Sequence, residues 1–174
     1  MTVPGTFDTS ARELIHAGLQ NLDEARSLFR QLSASGFDAA RCGLLLDALQ
    51  HVCDPDVALR NLVDIVNAQV SQGRALDDIM PDDTAFRQLV AVLGVSDAMG
   101  KLMRFRPDLV QAAATDHCNS HLYNHDQRRA HVLESVGADP NDRMSPTATM
   151  DLADAATALR RTYRNQLAAI IAQD

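Results

Sequence analysis

Tryptophan is absent from this 174-residue chain, and Phe and Tyr together bring the aromatic share to only 4%. So few rings, with few runs of Ile, Val, Thr and Tyr, argue against a β-sandwich or barrel, whose strands draw on β-branched and aromatic residues. No stretch approaches the roughly eighteen consecutive apolar residues that mark a transmembrane helix. The start, Met1-Thr-Val-Pro-Gly, has neither the basic nor the apolar region of a secretory signal. Cysteine is scarce: Cys42, Cys53 and Cys118 are odd in number and without paired spacing, which argues against a disulfide framework and suits free thiols in a reducing compartment. The expected location is the cytoplasm, with no membrane partner. Lysine occurs once, as Lys101, and glutamate three times, as Glu13, Glu24 and Glu134. Arg and Asp carry the rest of the charge, a bias we ascribe to coding composition. The formal net charge of -7 repels polyphosphate and anionic lipid unless cations gather on one face, so nucleic acid is not an expected partner.

What is present is aliphatic. Hydrophobic residues make up 46% and charged residues 22%, the balance of a globular chain long enough to bury its own core. Rich in Ala and Leu, it is expected to be all-α: one domain over residues 1–174, an irregular bundle of about eight to nine helices with the longest at the C-terminal end. Ser10 is placed to cap a first short helix closed by Gly18, and Asn21 with Glu24 predicts a capped helix ending at Gly36. Asp54-Pro55 opens another, with Leu59, Leu62, Val66 and Val70 facing inward. The acidic stretch 77–83 around Pro81 reads as a loop, after which Asp83 caps a helix carrying Phe86, Leu89, Val90 and Leu93. A helix is expected through Arg128 to Val136, then a loop over 137–146, and Ser145-Pro146 is expected to open the longest helix. There Leu152, Ala156, Leu159, Tyr163, Leu167 and Ile170 form one apolar seam that must find neighbours.

Four groups of residues carry candidate chemistry. Leu93-Gly94-Val95-Ser96 imitates the turn of a helix-turn-helix, with Gly94 in a left-handed conformation and Ser96 to Arg104 as the recognition helix. That helix offers DNA only Lys101 and Arg104 as cations and places Asp97 toward the phosphates, so a small DNA-binding regulator is the alternative reading. His117, Cys118, His121 and His125, with His131 beyond, have the imidazole and thiol spacing of a zinc site, but the polar residues among them read as loop. Gly43-Leu44 followed by Asp54-Pro55-Asp56 loosely imitates the magnesium-holding aspartates of nucleotidyltransferases. Here the serine is missing and both acids are explained by a helix start. Arg128-Arg129 and Arg160-Arg161 with Arg164 are the cationic clusters. No Gly-rich phosphate loop, nucleophile elbow or zinc-protease motif occurs, so neither catalytic, cofactor-binding nor metal-binding residues are assigned.

Residues 84–106, centred on Leu93-Gly94-Val95-Ser96, and the tail 158–174 with its Arg160-Arg161-x-x-Arg164, together with Val136-Gly137-Ala138-Asp139-Pro140, resemble a known family. This is the glutamate-ammonia-ligase adenylyltransferases, the bifunctional glutamine synthetase adenylyltransferase/adenylyl-removing enzymes, of the actinobacterial type. The resemblance implies a non-catalytic N-terminal helical region, a fragment preceding a nucleotidyltransferase domain. In such enzymes one unit moves AMP from ATP to a tyrosine of glutamine synthetase and another removes it by phosphorolysis, each using magnesium on paired aspartates. By that resemblance ATP and magnesium belong to the full-length enzyme and not to these residues. The implied partners are the adjoining catalytic domain and glutamine synthetase, and Arg160, Arg161 and Arg164 form the expected interdomain or partner surface.

Overall fold

The computed structural model describes residues 9–80, 82–115 and 125–171, and among them the chain forms ten helices and no strand. In order these are α1 (Ala11–His16), α2 (Leu22–Ala34), α3 (Ala39–Leu49), α4 (Pro55–Ser71), α5 (Leu76–Ile79), α6 (Asp83–Val95), α7 (Asp97–Phe105), α8 (Pro107–Thr115), α9 (His125–Glu134) and α10 (Leu152–Ile171). The all-α expectation therefore holds, and α10 is the longest of these helices at 20 residues.

Helix starts follow local chemistry. Ser10 and Glu13 cap α1 reciprocally: the Ser10 hydroxyl accepts the Glu13 N–H while the Glu13 carboxylate accepts the Ser10 N–H. Asn21, Asp38 and Asp54 cap α2, α3 and α4 through the N–H of Glu24, Arg41 and Val57. Helices α1 and α2 end in left-handed Gly18 and Gly36, after which Leu19 and Phe37 donate back to Leu14 and Leu32. Those are the bonds that satisfy the last carbonyls of a helix.

Helix α4 organises the packing. It lies most extensively against α6 and α7 and also meets α2 and α3, while α8 packs on α6 and carries α10. Leu59, Leu62, Ile65 and Val66 of α4, Phe29 and Leu32 of α2, and Leu89 and Leu93 of α6 are fully or almost fully buried in one aliphatic core. A smaller apolar cluster, Val136, Ala138 and Ala155, joins the end of α9 to the start of α10. Among the described residues, no helix is long and apolar enough to cross a membrane.

Several expectations need correction. Val70 is 39% exposed, and the polar Gln69 takes the buried position beside it. The stretch read as a loop contains α5, and Asp82 rather than Asp83 caps α6, accepting the Ala85 N–H at 2.8 Å. Helix α9 starts at His125, three residues before the expected Arg128. The longest helix opens at Leu152, not at Ser145-Pro146. The Asp142 carboxylate takes the N–H groups of Met144 and Ser145, holding that segment as a turn, and Asp151 takes those of Ala153 and Asp154 at 2.9 Å each.

Candidate interaction surface on the last helix

The predicted arginines sit on α10, but they are not equivalent. Arg161 turns toward α8, where its Nε lies 3.4 Å from the Asp108 carboxylate. Asp108 is also gripped by Arg106, whose Nε and Nη2 donate to its two oxygens at 2.9 and 2.7 Å. This fork is the strong form of a charged hydrogen bond and holds the Asp108 carboxyl below the usual carboxylate range. Arg160 is exposed and Arg164 half-buried. Four residues apart, they share one edge of the helix. Arg161 thus ties α10 to α8 while keeping 63% of its side chain exposed, and Arg160 and Arg164 lie along another edge of the helix.

The apolar seam of α10 is not covered as its spacing predicted. Leu152, Leu159 and Tyr163 are 88%, 40% and 64% exposed, whereas Ala155 and Thr162 are buried. The packed face of the helix is therefore rotated away from the larger side chains, and only farther along does Leu167 reach the main core. Met144 and Met150 are also exposed. Five of the nine exposed large hydrophobics among the described residues thus fall between 144 and 163. Phe105 adds to the uncovered apolar surface at the end of α7, with the Arg104 guanidinium 5.5 Å from its ring centre. Periodicity marked these residues as a stripe. It carries no information on whether the neighbour lies within the same 174 residues.

The helix-turn-helix reading loses its geometry. Gly94 is not left-handed, and α6 runs through it to Val95. The glycine is needed because a Cβ there would lie 2.8 Å from the Cβ of Val52. Ser96 alone makes the corner, donating its N–H to Val92 and capping α7 through the Met99 N–H. The cations of α7 are also engaged: Lys101 pairs with Asp97 at 2.7 Å and Arg104 with Asp64 at 3.4 Å. Its Met99, Gly100 and Met103 are buried.

Of the histidine and cysteine cluster, His117, Cys118 and His121 lie outside the described residues. His125 is exposed at the start of α9, 3.8 Å from Asp126. A cavity of about 470 Å³ is lined by Asp126, Arg129, Ala130, Pro140, Asn141 and Arg143. Arg129 donates there to the carbonyls of Pro140 and Asp142, both at 2.9 Å, so its guanidinium braces the loop.

Comparison with known proteins identifies the relatives. Over 168 residues, 97% of its length, the chain is 62% identical to the bifunctional glutamine synthetase adenylyltransferase/adenylyl-removing enzyme of Bifidobacterium longum strain DJO10A. It is 60% identical to that of Bifidobacterium longum subsp. infantis and, over 75% of the chain, 33% identical to that of Corynebacterium efficiens. It is a relative of one segment of these adenylyltransferases. The chain spans only 16% of the length of the Bifidobacterium relatives. No family model and no solved structure matches it.

The magnesium implied by the adenylyltransferase resemblance finds no cluster of fitting ligands among the described residues. No group of three or more His, Cys, Asp and Glu side chains is placed to hold a metal. The one pair that imitates the family's aspartates is directed elsewhere. Asp54 caps α4, and Asp56 accepts the backbone N–H of Gln20 at 3.0 Å and of Asn21 at 3.3 Å.

Proposed function

We propose that this chain is the non-catalytic, N-terminal helical region of an enzyme that adenylylates and deadenylylates glutamine synthetase in the cytoplasm, and so takes part in nitrogen regulation. The observation that carries this reading is the 62% identity over 97% of the chain to adenylyltransferases of which it spans only 16%. The absence of a fitting metal set among the described residues, and the structural use of Asp54 and Asp56, support a role without bond chemistry of its own. ATP and magnesium act in the remainder of the enzyme. The helical region supports and orients the adjoining catalytic domain, with Arg160, Arg161 and Arg164 at the surface between them.

The test uses labelled ATP, magnesium and glutamine synthetase. The full polypeptide carrying these residues is expected to transfer AMP, and the 174-residue chain alone to transfer none. AMP transfer by the isolated chain would overturn the non-catalytic assignment. Reversing the charge of all three arginines in the full polypeptide is expected to lower at least one of the two activities. Unchanged adenylylation and deadenylylation would remove the arginine surface from the reading.

A further inference from the structure

We infer that the exposed stripe of α10, with Leu152, Leu159 and Tyr163 at its centre and Arg160 and Arg164 along one edge, is the seat of an amphipathic helix with an acidic rim, supplied by the remainder of the adenylyltransferase polypeptide. The inference rests on the reading above and replaces a contact made by three arginines with one that is apolar at its centre. Two observations carry it. Positions 152, 159 and 163 are seven and four residues apart, the spacing of a stripe along one helix face. Their side chains are 88%, 40% and 64% exposed although the same helix is packed through Ala155, Thr162 and Leu167. A face of this kind is what a second helix covers.

Charge selects the partner. Arg160 and Arg164 each follow a stripe residue, Leu159 and Tyr163, and so border it about 100° round the helix. Arg161, farther round, is already occupied by Asp108. In a chain of net charge -7, this edge is a local excess of positive charge, complementary to Asp or Glu flanking an apolar helix face. The same net charge disfavours a second copy of this chain as the occupant. Most of the relatives' length lies outside the segment matched here, which provides an occupant on the same polypeptide at high effective concentration.

The test places a photoreactive p-benzoylphenylalanine at Leu159 in the full polypeptide and maps the cross-links by mass spectrometry. The expected product joins position 159 to an apolar helical segment outside residues 1–174, bordered by Asp or Glu, in a yield independent of dilution. Arg160→Glu with Arg164→Glu is expected to lower that yield roughly fivefold, while Arg30→Glu, on the exposed side of α2, leaves it near the starting value. Cross-links confined to residues 1–174, dilution-dependent cross-links between copies, cross-links to glutamine synthetase alone, or a reading frame closing at residue 174 would each overturn the inference. Circular dichroism of each variant separates a lost contact from a lost fold. AMP transfer by the same protein separates the two proposals, because transfer without the cross-link removes only the docking inference, and no transfer to glutamine synthetase removes the functional reading itself.

Discussion

Gly100 of α7 faces Asn61 of α4 so closely that a methyl group added to the glycine would overlap the Asn61 amide. Asn61 is buried, and its Nδ2 donates to the Leu93 carbonyl at 3.3 Å, satisfying one of the carbonyls left open at the end of α6. One amide therefore sits where three helices meet. Gly100→Ala is expected to destabilise by about 1–3 kcal/mol, because the overlap outweighs the ~1 kcal/mol gained in helix propensity. In a urea-unfolding cycle with Asn61→Ala the double variant is expected to be less destabilised than the sum of the singles. Strict additivity would show that the two residues do not meet.

Asp56 should behave as a clasp between α4 and the turn leading into α2. Asp56→Ala removes the acceptor for two backbone N–H groups 35 and 36 residues away and is expected to cost about 1–2 kcal/mol. Asp54→Ala, which removes a cap, is expected to cost ~1 kcal/mol. Millimolar magnesium should leave the melting temperature of the 174-residue chain unchanged. A rise that disappears in Asp54→Asn and Asp56→Asn would return these carboxylates to metal binding.

The Arg106–Asp108 fork at the start of α8, with Arg161 of α10 as its lesser partner, predicts an acid-sensitive contribution to stability. The Arg106 hydrogen bonds hold the Asp108 carboxyl below its ordinary value in the folded state. Above the unfolded value, about 4, both states are ionised and the contribution is complete. As pH falls through the depressed folded value, the contribution is lost. Thermal melts of the native chain and of Asp108→Asn should accordingly converge as the pH drops below about 4. A constant separation down to pH ~2 would show that the carboxylate charge contributes nothing.

Gln69 is 1% exposed on α4, and neither atom of its amide has a hydrogen-bond partner among the described residues. Desolvating an amide without a partner is costly, so Gln69→Leu or Gln69→Met is expected to stabilise the chain by about 1–2 kcal/mol in urea unfolding. Destabilisation by either would mean that the amide is bridged by buried water.

Cap chemistry made much of the fold legible in advance. Ser10, Asn21 and Asp54 each carry a side-chain acceptor that takes the backbone N–H three residues on and so begins a helix, which makes the information local. Errors arose where distance along the chain mattered. Asp56 looked like part of a cap, yet its partners are Gln20 and Asn21. Gly94 looked like a turn, but it is small because Val52 approaches. At Ser145-Pro146 a sound local start signal lost to Asp142, which accepts the N–H groups of Met144 and Ser145 and holds the segment as a turn. The arginines of α10 were visible as a cluster. Their division into one bound by Asp108 and two left at the rim was not, since nothing near Arg161 in sequence announces Asp108.

Helix α10 enters the small apolar cluster through Ala155 and the main core through Leu167. Twenty helical residues form a rod of about 30 Å. A body resting against its bare side would therefore press on both clusters through a single stiff member. A displacement there would reach the loop beside α9 and the helices around α4 together, so the two clusters would yield or hold as one mechanical unit.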